Sequence, residues 1–216
     1  MADWNYGGFA DKYDMQGEIH IGTGVVKVHD IFNPLPAFMK QADVIFSDPP
    51  YNKSALSSYY TKAGLSEKPD TFEAFFYRFI ECLDIISPRL ICLEVGLAQT
   101  EMYLQGLKDV RYTNIIQKDS YYYGNKNQKC NILFAVKEGS IPAVLVNMPF
   151  LDEEKVIEYI CNNIEYLCIG DLCMGKGLVG YYSNKAGKKF VGTELNPKRL
   201  AVCCERVTKN ERGKIL

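Results

Sequence analysis

The apolar run Val44-Ile45-Phe46 stops at Ser47-Asp48-Pro49-Pro50-Tyr51-Asn52, and this ending constrains the chain more than any other segment. Two consecutive prolines have a fixed φ and no N–H, so a strand cannot continue through them. They leave one carboxylate, one rigid carbonyl without a competing donor, and one aromatic face at the strand end. An exocyclic amine on a nucleobase has its lone pair delocalised into the ring and needs acceptors for both of its N–H groups. Asp48 and the Pro49 carbonyl can supply them, with Tyr51 stacked on the base. A plain Pro-Pro turn opened by Asp is the structural alternative, but it accounts for neither the strand before it nor the Tyr-Asn after it.

A second segment fits the first. Leu167-Cys168-Ile169-Gly170-Asp171-Leu172-Cys173-Met174-Gly175-Lys176-Gly177 reads as a short buried strand, a sharp glycine turn and the mouth of a helix. Gly175 and Gly177 let backbone approach a ligand where a Cβ would take the ligand's space. The strand Lys189-Phe190-Val191-Gly192-Thr193-Glu194 then ends in an acid placed for two ribose hydroxyls, as in dinucleotide folds. These features predict a nucleoside pocket. Gly170 to Lys176 also has the G-x-x-x-x-G-K spacing of a phosphate loop, with Val44 to Asp48 as its acidic strand. Position 177 is Gly where that loop needs Ser or Thr, however, and Asp171 would repel phosphate. A purely structural strand-turn-helix is the third reading.

Together these residues resemble the amino-methyltransferases that move a methyl group from S-adenosyl-L-methionine to an exocyclic amine of DNA, over most of the chain. Asp48-Pro49-Pro50-Tyr51 matches the catalytic motif D-P-P-Y, and Asp171 to Gly177 matches the cofactor motif, usually D-x-F-x-G-x-G. The catalytic motif comes first, as in the permuted beta group. D-P-P-Y favours adenine N6, whereas cytosine N4 more often goes with Ser in place of the Asp.

The resemblance implies roles position by position. Asp48, Pro49, Pro50 and Tyr51 are catalytic. Asp30, ending Val25-Val26-Lys27-Val28-His29-Asp30, holds the cofactor's adenine amine, with Ile31 or Phe32 as a wall. Glu194 holds the ribose, and Asp171, Cys173, Gly175 and Gly177 face the methionine portion. Asn52, Lys53, Tyr122 and Lys126 are candidate substrate contacts. No metal is implied, and the partner is DNA, either a duplex with the target base rotated out at a cost of a few kcal/mol or a single strand. Restriction-modification is the expected setting. Cys173, Lys176 and Leu178 depart from the usual Phe, Ser and Thr, which bears on cofactor affinity more than on fold, and Asn147-Met148-Pro149 is a faint version of the motif that usually precedes the loop. Alternatives are cytosine-N4 or RNA adenine methylation, a degenerate cofactor-binding subunit that needs a partner chain, a homodimer, and methylation of a protein glutamine amide, which usually goes with Asn at position 48.

Tyr121-Tyr122-Tyr123 among Lys118, Lys126 and Lys129 suits stacking and phosphate contact, and suits an ordinary hairpin equally. From Lys176 onward ten Lys or Arg face three Glu, a run that solvated helix faces also produce. Eight cysteines show no C-x-x-C and have only His20 and His29 to assist, so buried reduced thiols are expected rather than a metal or disulfide framework. With 216 residues, no membrane-length apolar stretch and no signal-peptide pattern, the expectation is a single cytoplasmic catalytic domain over 1–216, without a separate target-recognition domain.

The predicted fold class is α/β: a Rossmann-like, doubly wound, mostly parallel seven-stranded sheet with an antiparallel edge hairpin. Predicted strands cover 24–29, 43–47, 89–94, 112–118, 131–136, 166–170 and 189–193, with the hairpin formed by 112–118 and 131–136. Predicted helices cover 33–41, 71–86, 98–108, 152–163, 177–187 and 197–209. Phe72, Phe75, Phe76, Phe79 and Ile80 recur at helical spacing and read as core. The loop 53–70 and the region 119–150 are the room left for recognising a substrate.

Overall fold

A computed structural model describes residues 8–67, 69–122 and 127–212. Its strands are β1 (Glu18–Ile21), β2 (Gly24–Val28), β3 (Val44–Ser47), β4 (Leu90–Gly96), β5 (Asn114–Tyr121), β6 (Lys129–Val136), β7 (Cys168–Asp171) and β8 (Lys189–Glu194). They form one sheet in the order β1-β2-β8-β7-β3-β4-β6-β5. Pairing is parallel from β2 through β8, β7 and β3 to β4. It is antiparallel between β4 and β6 and between β6 and β5, so β5 runs with the parallel block.

Helices α1 (Lys53–Ala63), α2 (Phe72–Ile86) and α3 (Thr100–Asp109) cover one face of the sheet, and α5 (Glu153–Asn163), α6 (Leu178–Lys185) and α7 (Pro197–Lys209) cover the other. A short α4 (Ala143–Val146) precedes α5. Both faces of the central strands are buried, and alternate side chains serve separate cores. On β3, Val44 and Phe46 join the cluster containing Ile157, Val179 and Leu200, while Ile45 joins the one containing Leu56, Phe79 and Tyr103. The aromatic ladder of α2 is core, as its spacing predicts: Phe72, Phe75, Phe76, Phe79 and Ile80 are all buried. Phe75 also reaches the wall of the cavity described below.

Besides the short α4, which the sequence-based expectation does not include, three further elements differ from it. The eighth strand, β1, closes a hairpin with β2 through Gly22-Thr23, with Gly22 at φ 50°. Its alternation Glu18-Ile19-His20-Ile21 and the Gly after it are strand-and-turn signals. The helix predicted over 33–41 is a 3₁₀ run, Ala37–Gln41, because Pro34 and Pro36 withhold the N–H groups a longer helix would use. The segment 53–70, predicted as loop, contains α1, whose N-terminus is capped by the Asn52 side chain accepting from Ala55 N at 2.9 Å.

Chain order runs outward from the middle of the sheet in both directions, from β3 to β4 on one side and from β7 to β8 on the other. The crevice between the carboxyl ends of β3 and β7 is therefore the topological switch point, where open α/β sheets place ligands.

Candidate active site

A cavity of about 300 Å³ opens at that crevice. Asp48 follows β3, Asp171 ends β7, Glu194 ends β8, and Asp30 lies just beyond β2; all four line the cavity. The two distant motifs therefore share one site, and a residue with no predicted role joins them. Pairing between β3 and β7 stops at Ile45↔Gly170. Beyond it the fully buried Ser47 hydroxyl donates to Asp171 Oδ1 at 2.9 Å and accepts from Leu172 N at 2.9 Å. Asp171 Oδ1 also takes Cys173 N at 2.9 Å, which starts the glycine turn.

Glu194 fastens the other end of that turn. Its Oε2 accepts from Gly175 N at 2.6 Å and its Oε1 from Asn196 N at 2.9 Å. Gly175 and Gly177 have φ 56° and 79°, in the left-handed region that favours glycine. The space a Cβ at Gly177 would need is taken by α7 rather than by a ligand, since it would lie 2.2 Å from Cys203 Sγ. At Gly175 it would lie 2.8 Å from Arg199 Nη2. This corrects the reason expected for both glycines, although both still line the cavity.

Asp30 Oδ1 accepts from the Tyr60 hydroxyl at 2.8 Å and from Phe32 N at 3.1 Å. Ile31 is a buried wall of the cavity, whereas Phe32 is 41% exposed and outside its lining, so of the two candidate walls the structure brings Ile31 to the site. Pro50, Cys173 and Tyr122 also line the cavity, whereas Pro49 is buried and outside its lining. Tyr51 is not in the lining: its hydroxyl donates to Glu94 Oε1, and its ring packs edge-on against Tyr122 at 6.0 Å. Asn52 is engaged as the α1 cap, and Lys53 is exposed on the first turn of that helix. Tyr123 and Lys126 lie outside the described residues.

Sequence reasoning missed Glu94, Glu153, Tyr59, Tyr60, Arg199 and Arg206. Glu94 had a readable signal, a lone acid inside the apolar run Leu90-Ile91-Cys92-Leu93-Glu94-Val95; it is fully buried on β4. Arg199, from the first turns of α7, sits over the Tyr59 ring at 5.2 Å.

The electrostatics follow from burial. Loss of water pushes the Asp48 carboxyl well above the usual carboxylate range, and the nearby Glu94 and Asp171 push it further, against the opposing pull of Arg199 and the Tyr51 hydroxyl. Burial likewise raises Glu94 to about 7, and Asp171 to about 7 despite its bonds from Cys173 N and Ser47. Asp48, Glu94 and Glu153 each place one oxygen within 4.8 Å of the others, the one such group of potential metal-ligand atoms among the described residues. Of these, Glu94 is already bonded to a phenol, and Asp48 and Glu94 are both pushed toward their protonated forms. Burial also raises the Cys173 thiol, which keeps it neutral; the other seven cysteines are buried, and none of the eight is in a disulfide.

A pH dependence of stability follows. Asp171 and Glu94 ionise near pH 4 in the unfolded chain and near 7 in the folded one. Between those values the folded state holds more protons than the unfolded state, so stability falls as pH rises through this window. The thermal midpoint of the ligand-free protein is expected to drop by several degrees from pH 5 to pH 8, as read by circular dichroism. A midpoint that rises over this range would contradict the assignment.

No protein-family model matches the sequence, and no curated protein matches it significantly. Solved structures do match. The M1.HpyAVI–SAM complex is 14% identical with a TM-score of 0.59, over 84% of this chain and 98% of that one. TTHA0409 of Thermus thermophilus, complexed with S-adenosyl-L-methionine, is 13% identical with a TM-score of 0.62, over 87% and 94%. PvuII DNA methyltransferase (cytosine-N4-specific) is 9% identical with a TM-score of 0.58, over 88% and 94%. These likenesses establish the fold, a mostly parallel α/β sheet. No helix among the described residues is long and apolar enough to cross a membrane.

Proposed function

We propose that the chain transfers a methyl group from S-adenosyl-L-methionine to an exocyclic amine of a DNA base, adenine N6 being the acceptor that Asp48-Pro49-Pro50-Tyr51 favours. The observation that carries this reading is the convergence of Asp48 and the 171–177 turn on one cavity, joined by the Ser47 hydroxyl. Solved methyltransferases of the same fold support it, two of them with the methyl donor bound.

The residues present fit the donor. Each Glu194 oxygen takes one backbone N–H and keeps a lone pair for a ribose hydroxyl. Asp30 Oδ1 is held by Tyr60 and Phe32 N, which orients Oδ2 as an acceptor for the adenine amine. His29 Nε2, on a cavity-lining residue, is buried without a hydrogen-bond partner, a polar atom that a ligand would satisfy. When bound, the donor supplies an activated methyl group on a sulfonium.

The protein's part is alignment and the exclusion of water. Asp48 and the Pro49 carbonyl would hold the acceptor's two N–H groups, turning its lone pair toward the methyl carbon. A cation beside Asp48 opposes the effect of burial and favours the ionised, doubly accepting carboxylate. Cytosine N4 is the second reading, supported by the likeness to the cytosine-N4-specific PvuII enzyme.

The deciding experiment supplies labelled methyl donor with mixed DNA and RNA, digests to nucleosides and separates them. Label in N6-methyldeoxyadenosine is expected. Label in N4-methyldeoxycytidine or in ribonucleosides would move the assignment to those acceptors, and no labelled nucleoside would refute the reading.

A further inference from the structure

Tyr51 is placed unlike a residue whose task is only to present an aromatic face. Asp48 and Pro50 of the same motif line the cavity, but the Tyr51 ring lies against Tyr122 at an interplanar angle of 80°, and its hydroxyl is tied to Glu94 Oε1. A phenylalanine would stack equally well. Glu94 is 0% exposed, and its second oxygen, Oε2, is buried with no hydrogen-bond partner. A buried carboxylate with an unsatisfied oxygen is costly to keep. It persists here beside the group that would receive the amine's proton: one Asp48 oxygen lies within 4.8 Å of a Glu94 oxygen, and the Tyr51 hydroxyl, which also favours the charged form of Asp48, donates to Glu94.

We propose that the Tyr51 hydroxyl and Glu94 carry away the proton that the acceptor amine must lose once it is methylated, with Asp48 as its first recipient. The inference rests on the methyl-transfer reading above and adds an outlet that reading lacks. The nitrogen lone pair forms the new N–C bond while the S–C bond breaks and its electron pair stays on sulfur. The cationic nitrogen then gives a proton to an Asp48 oxygen, its N–H electron pair returning to the base. Asp48 passes a proton to Tyr51 Oη as Tyr51 passes its own to Glu94. Asp48 and Tyr51 end in their starting forms, and Glu94 holds one additional proton. Tyr51 is a conduit in this series, and Glu94 acts through it as a positioning residue and proton store.

The groups facing Glu94 are few. Tyr51 and Asp48 come from the β3 loop, Cys130 from β6, and Asp152 and Glu153 from the start of α5. Arg199 and Asp171 act on Asp48 from α7 and β7. Tyr51 donates to Glu94 from a hydroxyl, and the Cys130 thiol is a second, weaker side-chain partner that also favours the charged form of Glu94.

Tyr51→Phe tests the idea, since it removes one oxygen and keeps the ring. Turnover is expected to fall about 100-fold, the ordinary size of a lost proton-transfer contribution. KM for DNA and donor should be unchanged, and the acidic limb of the kcat–pH profile should move to higher pH, because Asp48 must still ionise and has lost the hydroxyl that favours its charged form. Glu94→Gln should lose turnover to the same extent. A readout that needs no activity is carbon-13 NMR of labelled glutamate carboxyls in the ligand-free protein. Removing the Tyr51 donor should shift the Glu94 midpoint upward, because that hydrogen bond favours the charged form.

Tyr51→Phe with wild-type kcat and an unchanged pH profile would overturn the inference, as would a change confined to KM for DNA. Should Glu94→Gln fail to fold, the Tyr51→Phe kinetics and NMR decide alone. A wild-type protein that methylates no nucleic acid overturns the parent reading and this one together, whereas active wild type with an indifferent Tyr51→Phe overturns this one only.

Discussion

Asp48→Ala is expected to lower turnover roughly 1,000-fold, the scale on which a preorganised electrostatic contact acts in a transition state, while affinity for S-adenosyl-L-methionine stays near wild type. The argument is one of position. Asp48 stands at the end of β3, across the crevice from the turn at 171–177, and none of the cofactor contacts proposed for Asp30 or Glu194 passes through it. Its removal takes away the acceptor that orients the amine and the first recipient of its proton, but leaves the nucleoside end of the cavity intact. The same substitution deletes a carboxyl that burial and the neighbouring Glu94 and Asp171 hold in an unfavourable state. The variant should therefore melt at or above the wild-type temperature at pH 8. Single-turnover methylation, donor titration by calorimetry and a thermal melt read the three parts separately. Wild-type turnover would remove Asp48 from the chemistry, and lost donor binding would place it in the cofactor site instead.

What the sequence discloses of this site is its backbone chemistry. Pro49-Pro50 must end a strand, and Asp171 to Gly177 must turn sharply, because proline lacks an N–H and glycine tolerates positive φ; these are local rules, and both hold. The parallel block follows from apolar runs such as Val44-Ile45-Phe46. Side-chain partnerships are less legible because they depend on which strands become neighbours. Nothing in the spacing of Ser47 and Asp171 announces their 2.9 Å bond across 124 residues. Tyr51 shows the same limit. Its identity suggests stacking, but its direction is set by Glu94 on β4, and only the β3–β4 pairing brings the two together. Asn52 carried a local signal of its own, as an Asn ahead of a polar helical stretch is a cap, and its proximity to the motif obscured that reading. Glu94 could have been flagged from its place in an apolar strand, since a charge there needs either a partner or a function.

The two glycines of the 171–177 turn should respond differently to the same substitution, and Gly177→Ala should be the more damaging to the fold. An alanine Cβ at 177 would lie 2.2 Å from Cys203 Sγ, 2.4 Å from its Cβ and 2.9 Å from its Cα, and the residue would have to keep φ 79°. The left-handed backbone costs about 1–2 kcal/mol for a residue with a Cβ, and displacing packed atoms costs about 1–3 kcal/mol more, so a loss of roughly 2–5 kcal/mol is expected in urea denaturation. Cys203→Ala should relieve it only in part, because it removes the sulfur and leaves both carbons of residue 203 in the way. Gly175→Ala incurs the same backbone cost but meets the Arg199 guanidinium at 2.8 Å, the mobile end of a long side chain that can move aside. Its stability should fall by about 1–2 kcal/mol, while the displaced Arg199 intrudes on the cavity it lines and weakens donor binding. Equal stability losses in the two variants would contradict this division. If it holds, Gly177 is glycine because α7 must pack against the turn, and that packing carries Arg199, one helical turn before Cys203, to the wall of the cavity.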